Sequence, residues 1–84
     1  MKKTKALRRP SSPLTAILAA NIRAFREERI LSQEDFADIC GLHRTYVGSV
    51  ERGERNVTLS TLEVFASVMG VSVPQLLTGK SHRK

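Results

Sequence analysis

The segment from Gln33 to Val50 constrains the fold of this 84-residue chain more than any other stretch. Counted from Gln33, the fourth, eighth, tenth, fifteenth and eighteenth residues are apolar, the fifth is Ala37 and the ninth is Gly41. A small residue such as Ala37 lets a second helix cross the first closely, and Gly41 suits a tight turn because glycine readily adopts the left-handed backbone conformation. The pattern therefore predicts two short helices that meet at a tight turn.

Residues that start and end helices extend this pair to a five-helix, all-α domain. Ser12 followed by Pro13 starts a first helix that runs to about Arg29, since a capping side chain and an early proline both favour that position. Ser32, with Asp35 three residues later, forms a near capping box at the start of the second helix. The remaining boundaries are a third helix from His43 or Arg44 to Gly53, a fourth from Thr58 to Gly70 and a fifth from Ser72 to Gly79.

Apolar residues at three- and four-residue steps mark the faces expected to form the core. They are Leu14, Ile17, Leu18, Ile22 and Phe25 on the first helix; Phe36, Ala37, Ile39 and Cys40 on the second; and Leu59, Leu62, Phe65, Ala66 and Met69 on the fourth. A chain this short buries roughly 60% of its unfolded surface, so we expect one small domain with a thin core.

Positive charge is concentrated at the two ends of the chain. The net charge is +6, yet residues 1–13 hold five basic residues and residues 80–84 hold three, with no acid in either range. The six arginines and eight acids in residues 14–79 leave that span at −2. We therefore expect a flexible basic arm at 1–12, a globular domain at 13–79 and a flexible basic tail at 80–84. Any case for nucleic-acid binding must rest on the domain itself.

Several functional classes lack the residues that they need. The single cysteine, Cys40, excludes an internal disulfide and has no histidine or cysteine at metal-ligand spacing. No nucleophile–base pair or phosphate-cradling loop is present, so we expect no enzyme, no cofactor and no small-molecule ligand. The apolar run from Leu14 to Ala20 is too short to span a membrane, and Pro13 separates it from the basic start, which argues against a signal peptide. These features favour a cytoplasmic protein.

Polar residues on one side of the third helix form an arc that contains no acid. At about 100° per residue, the arc comprises Arg44, Gly48, Arg52, Thr45 and Ser49, while the valines lie on the other side. A face that only meets solvent usually carries long charged side chains, and a mid-helix glycine costs about 1 kcal/mol relative to alanine. The arc therefore favours a surface that contacts a partner.

The chemistry of this arc suits the major groove of double-stranded DNA. The groove admits one helix, and each base pair presents a distinct pattern of donors and acceptors there. Arg44 has the fork to bond guanine O6 and N7, and Thr45 can offer its hydroxyl to a base or phosphate and its methyl group to thymine. Ser49 can hydrogen-bond to a base one turn deeper, and Arg52 points the same way, toward a phosphate.

Four runs of sequence resemble the Cro/phage-repressor (XRE) family of helix-turn-helix proteins: SQEDFA, CGL, VGSVERGER and TLSTLEVFASVMGVSVPQLLTG. The resemblance covers residues 14–79 and implies a lambda-repressor-like DNA-binding domain. The runs RTYV and ERGERN are most similar to the controller proteins of restriction–modification systems. The resemblance thus implies a bacterial or phage-encoded transcriptional regulator that binds a palindromic operator in double-stranded DNA as a homodimer.

The resemblance also implies roles for individual residues. Contacts to bases or to local DNA shape are expected from Arg44, Thr45, Tyr46 and Arg55, and contacts to phosphates from Gln33 and Asn56. His43, at the start of the third helix, can also meet a phosphate. An ion pair between Arg26 and Glu51 would hold the third helix on the first, and a symmetric dimer contact is expected from Val71, Val73, Leu76 and Leu77. The plainer alternatives are packing for Tyr46, solvent exposure for His43 and closure of the monomer core for the last four.

Other functions stay open at this point. One alternative is an autorepressing antitoxin of a toxin–antitoxin pair, although no toxin-binding extension is obvious in the sequence. Another is a helical protein-interaction module that no longer binds DNA, which loss of the polar arc would favour. A third is a secreted basic peptide.

Overall fold

The computed structural model describes residues 11–79, which form five helices around one core. In chain order they are α1 (Ser12–Arg29), α2 (Gln33–Cys40), α3 (Arg44–Glu51), α4 (Leu59–Met69) and α5 (Val73–Leu76). No strand occurs among the residues described, and the predicted all-α, five-helix fold is confirmed. Residues 1–10 of the predicted basic arm and the whole predicted tail at 80–84 lie outside the described range.

Three of the five helices begin in caps that the sequence predicts. At α2, the Asp35 N–H donates to Ser32 Oγ at 2.9 Å while the Ser32 N–H donates to Asp35 Oδ2 at 3.0 Å, which completes the capping box. These hydrogen bonds to the carboxylate hold the pKa of Asp35 below its ordinary value. Thr58 caps α4, and Ser72 caps α5 in a second capping box. Local side-chain chemistry is enough to place these starts.

Three predicted boundaries are wrong by a few residues. Ser12 is already helical, and Ser11 occupies the cap position of α1 without a side-chain hydrogen bond, because Pro13 is compatible with either of the first two helical positions. The third helix ends at Glu51, before Gly53, and the fifth ends at Leu76, well before Gly79. The chain follows each of these two helices with turns rather than further helical residues.

The end of α1 shows an unusual backbone conformation. Ile30 has φ +55°, in the left-handed region that glycine normally occupies, and its side chain is 91% exposed. The N–H groups of Ile30 and Leu31 donate to the carbonyls of Glu27 and Arg26, as in a glycine-terminated helix. The geometry of the helix end is thus kept although an L side chain is strained there.

Aromatic and branched residues from α1 to α5 fill the core. Phe36 lies between Phe65, which stacks on it at 5.9 Å between ring centroids, and Phe25, which meets it edge-on at 5.8 Å. Val47 and Val50 bury the inner side of α3 in this core, where α3 packs against both α1 and α2. This packing sets which side of α3 is left for solvent.

Three residues predicted to face the core are exposed instead. Leu59 is 77% exposed, and Leu14 and Ile39 are exposed as well. Leu14 and Leu59 lie in the first turn of their helices, ahead of the turns that reach the core. Ile39 lies well off the side of α2 that Phe36 and Ala37 bury. Cys40 does pack against the core, and burial raises the pKa of its thiol to about 11, which favours the protonated thiol at neutral pH.

The four apolar residues assigned to a dimer contact do not share one environment. Leu76 is 1% exposed and belongs to the monomer core, so for Leu76 the plainer alternative is correct. Val71, Val73 and Leu77 are half-buried against that core and keep part of their surface outside. Of the four, only these three keep apolar surface exposed on the monomer.

Candidate nucleic-acid interface

The N-terminal end of α3 is open. His43 occupies the cap position with extended backbone angles, but its side chain makes no capping hydrogen bond. His43, Arg44 and Thr45 are all exposed, and no acid lies in the first turn. The first N–H groups of a helix have no partner within it, and together they carry a partial positive charge. A basic residue beside these N–H groups destabilises the helix through charge repulsion, but it favours the binding of an anionic partner.

The C-terminal end of α3 is held by a network around Glu51, whose side chain is 4% exposed. Arg26 on α1 pairs with it in a fork: Nε donates to Oε2 at 2.7 Å and Nη2 to Oε1 at 2.9 Å. The hydrogen bond to this carboxylate raises the pKa of Arg26. Gln33 on α2 adds a third bond, from Nε2 to Oε1 at 3.1 Å. The expected Arg26–Glu51 pair is thus present, and it joins three helices.

Arg23 strengthens the same end of α3 and was not singled out from the sequence. Its Nη1 donates to the main-chain carbonyl oxygen of Glu51 at 2.8 Å, which satisfies one of the last carbonyls of the helix. Arg23 stands three residues before Arg26 on α1, so both lie on neighbouring sides of that helix. The three-residue spacing from Arg26 is the sequence signal from which a contact of Arg23 with the end of α3 could have been predicted.

Gly48 is explained by contacts within the chain. A Cβ built there would lie 3.3 Å from Arg52 Nη1 and 3.3 Å from Gln33 Oε1. These two side chains cover the middle of α3, and Gly48 is buried. The glycine in the arc is therefore accounted for by close side chains of this chain and is no evidence of a partner.

Ser49 is buried, and the prediction that it lies on an outward arc is wrong. Only 6% of it is exposed, and its hydroxyl has two partners inside the chain. Oγ donates to the carbonyl oxygen of Tyr46 at 2.7 Å and accepts a hydrogen bond from Arg55 Nε at 2.9 Å. The arc predicted a solvent-facing side because a helical wheel contains no information about side chains that return from later in the chain.

Tyr46, Ser49 and Arg55 form a second cluster, at the middle of α3. Tyr46 is half-buried and packs against the core, as its plainer alternative predicts. The guanidinium carbon of Arg55 lies 5.2 Å from the centroid of the Tyr46 ring, within cation–π range. Arg55 itself is exposed although its Nε is bonded to the buried Ser49 hydroxyl.

The remaining residues assigned to phosphates lie at the edges of α3. Arg52 and Asn56 are exposed beyond its C-terminal end, and His43 is exposed before its start. Arg52 Nε donates to Glu54 Oε2 at 3.0 Å, which raises the pKa of Arg52 and lowers that of Glu54. Both side chains are more than half exposed, so solvent screens this pair. Gln33, which donates a hydrogen bond to Glu51, is only half-exposed.

Two further features bear on function. Within residues 11–79, no three histidine, cysteine or acidic side chains come close enough to hold a metal ion. None of the helices in that range combines the length and apolar character that a membrane span requires. The features that stand out are those of α3: a held C-terminal end, a buried inner side and an open, basic N-terminal end.

Comparison with known proteins matches residues 22–76 to the family model HTH_3, described as helix-turn-helix. Control protein C.SmaI from Serratia marcescens is 63% identical over 62 residues, which is 74% of each chain. The crystal structure of the hypothetical transcription factor NHTF from Neisseria has a TM-score of 0.80 and 45% identity, covering 89% of this chain and 85% of that one. The structure of SinR, a master regulator of biofilm formation, in complex with DNA has a TM-score of 0.65 and 31% identity, covering 73% and 98%.

Proposed function

The chain belongs to the helix-turn-helix (HTH_3) family, and from that premise we propose that it is a DNA-binding transcription regulator of the restriction–modification controller kind. Its 63% identity to a protein named as a control protein supports this function over an autorepressing antitoxin. A structural relative solved on DNA supports it over an interaction module without DNA binding. Since DNA is the target of such regulators, a cytoplasmic location follows from the proposal.

The observation that carries the proposal is the contrast between the open start of α3 and its held end. Arg44 and Thr45 are exposed in the first turn, next to N–H groups without a side-chain cap. In the major groove, the Arg44 fork bonds guanine O6 and N7, and Thr45 offers its hydroxyl or methyl group to a neighbouring base. Arg55 and the edge of the Tyr46 ring complete this base-reading set. Ser49 is buried and does not belong to this set.

Phosphate contacts on both sides of α3 set its register on the duplex. Gln33 retains a second Nε2 hydrogen, and its own N–H lies at the start of α2, where helices attract anions. His43 and Arg52 flank α3 at its two ends, and Asn56 follows in the loop. These donors bond to oxygens that are present at every base pair, so they contribute affinity rather than sequence preference.

A homodimer completes the proposed function. One eight-residue recognition helix reaches only a few base pairs, and regulators of this kind gain length by binding two half-sites about one helical turn apart. The half-buried Val71, Val73 and Leu77 beside α5 are the proposed contact, with Leu76 supporting them from the core. A two-fold symmetric dimer then binds a palindromic operator.

Selection of bound sequences from random duplex DNA tests this function. We expect the wild-type protein to enrich a palindromic motif, and Arg44→Ala to lose preference at one position of each half-site. Each lost bidentate contact reduces affinity by about 1–3 kcal/mol. The matched control is Arg29→Ala, since Arg29 is also an exposed arginine but lies over the Phe25 ring on α1.

The outcomes separate the parts of the proposal. Failure of the wild type to enrich any motif would contradict sequence-specific binding. A motif without two-fold symmetry would contradict the dimer but not base reading. An unchanged motif with Arg44→Ala, or an equal loss with Arg29→Ala, would show that Arg44 does not read a base.

A further inference from the structure

We propose that Ser49 is a positioning residue: its buried hydroxyl holds Arg55 in the orientation in which Arg55 meets DNA. This inference rests on the proposed function, because it assumes that Arg55 contacts DNA. It replaces the direct base contact expected of Ser49 from the sequence. It adds a residue that determines binding without touching the nucleic acid.

The direction of the Ser49 hydroxyl is set by α3 itself. Oγ donates its one hydrogen to the carbonyl oxygen of Tyr46, three residues earlier, at 2.7 Å. This is the back-bond that serine commonly makes inside a helix. Because the hydrogen is committed to Tyr46, the oxygen offers only lone pairs to other groups. It can therefore accept from a guanidinium but cannot donate to a base.

Arg55 is the group that uses these lone pairs. Its Nε donates to Ser49 Oγ at 2.9 Å, and its guanidinium carbon lies 5.2 Å from the Tyr46 ring centroid. One hydrogen bond and one ring contact restrict a side chain that otherwise has many rotamers. Both partners belong to the same turn of α3, so the position of Arg55 follows that of the helix.

The contact leaves a defined edge of Arg55 for a ligand. A guanidinium has five N–H groups in a fixed plane, and Ser49 engages the one on Nε. The two terminal nitrogens, with four N–H groups, lie at the other end of that plane. Arg55 is exposed, so this end is accessible. Bidentate bonding to a base or phosphate through the terminal nitrogens is then the geometry that the arrangement favours.

Holding Arg55 in place before binding lowers the entropy that binding would otherwise cost. Without the Ser49 hydroxyl, Arg55 keeps its charge and its ring contact but loses the bond that orients its plane. We therefore expect Ser49→Ala to weaken binding through Arg55 alone. A purely structural role of Ser49 would weaken binding whether or not Arg55 is present.

A double-mutant cycle on the selected operator tests this inference. Dissociation constants are measured for the wild type, Ser49→Ala, Arg55→Ala and the double variant, with thermal unfolding as the control for folding. We expect Ser49→Ala to weaken binding about 3- to 10-fold, the range for one hydrogen bond. In the Arg55→Ala background, the same change should leave affinity unaltered. Ser49→Thr, which keeps the hydroxyl and its back-bond, should restore most of the affinity.

A second readout observes the contact without DNA. In the free protein, the Arg55 Nε–H resonance should be protected from exchange in the wild type and in Ser49→Thr, and should lose that protection in Ser49→Ala. An equal loss of affinity with and without Arg55, or unchanged protection in Ser49→Ala, would overturn the inference. Failure of Arg55→Ala to affect binding would contradict the DNA contact of Arg55 instead, and failure of the wild type to bind would contradict the proposed function.

Discussion

The two ends of α3 are built in opposite ways. At the C-terminal end, the Glu51 carboxylate receives two bonds from Arg26 and one from Gln33, and its main-chain carbonyl receives one from Arg23. At the N-terminal end, His43 makes no side-chain cap and the next two residues are exposed. The difference shows that the bonds that fix α3 on α1 and α2 are concentrated at its C-terminal end, while its first N–H groups have no side-chain cap.

The start of α2 is fully capped, whereas α3, like α1, begins with neither a side-chain cap nor an acid in its first turn. Ser32 and Asp35 complete a capping box there, and Glu34 adds a second acid to the first turn. The same chain thus supplies full capping and favourable charges eleven residues before a helix that has neither. The exposed cation Arg44 opposes the partial positive charge at the start of α3, and a DNA phosphate backbone would relieve that opposition.

The largest expected effect comes from breaking the held end. Glu51→Ala leaves Arg26 without its partner in a mostly buried site, and should lower the free energy of unfolding by about 3–5 kcal/mol. Chemical denaturation followed by circular dichroism measures this loss. The matched control is Glu54→Ala, which removes the carboxylate of the exposed Arg52–Glu54 pair. We expect the control to change stability little, because solvent screens that pair.

Equal effects of the two substitutions would contradict the view that one end of α3 carries its stability. So would a large loss of stability from Glu54→Ala alone. A stable Glu51→Ala variant with normal affinity for DNA would show that the network around Glu51 is dispensable for placing α3.

An intermediate effect should follow from capping the open end. His43→Asn supplies a side-chain oxygen that can accept from the exposed N–H groups of α3, and should raise the free energy of unfolding by about 1 kcal/mol. The same substitution should weaken DNA binding, since it removes the His43 imidazole that we assign to a phosphate. The converse substitution is Ser32→Ala, which removes the cap of α2. It should lower the free energy of unfolding by about 1 kcal/mol.

Thermal unfolding and operator binding of His43→Asn together test whether capping α3 raises stability and weakens DNA binding. A variant that gains no stability would show that the start of α3 is already satisfied in another way. A variant that gains both stability and affinity would contradict the assignment of His43 to a phosphate.

The smallest expected effect concerns the exposed pair beside α3. The hydrogen bond from Arg52 lowers the pKa of Glu54 in the folded protein, so Glu54 binds a proton less readily there than in the unfolded chain. Its contribution to stability is therefore complete above the ordinary value of 4.5 and is lost as the pH falls through the lowered folded value. Glu54→Gln should flatten the acid limb of the stability curve only slightly. A titration of Glu54 by NMR that gave an ordinary or raised pKa would contradict this sign.

Much of the fold could be predicted from local sequence because its signals are local. The capping box of Ser32 and Asp35 and the glycine after α2 each act within a few residues, and both are where the sequence predicts them. The exposure of Leu59 could not be predicted in this way. Whether a first-turn leucine reaches the core depends on how α4 lies against the other helices.

In the candidate site, too, features set by the local sequence could be predicted, and features set by contacts with distant residues could not. Arg44 and Thr45 are exposed, as their angles on α3 predict. Ser49 is buried, and its hydroxyl is bonded to Arg55, which comes from the loop beyond the helix. The Arg26–Glu51 pair joins residues 25 apart in sequence, and only family resemblance suggested it before the structure was known.

The central claim is that the open end of α3 reads bases, and one ratio tests it most directly. This ratio compares the affinity for the selected operator with the affinity for a scrambled duplex of equal length at one salt concentration. We predict that Arg44→Ala lowers the ratio by roughly 5- to 150-fold, the range for one bidentate contact, with thermal stability unchanged. A ratio equal to that of the wild type, with affinity lost equally on both duplexes, would contradict the claim.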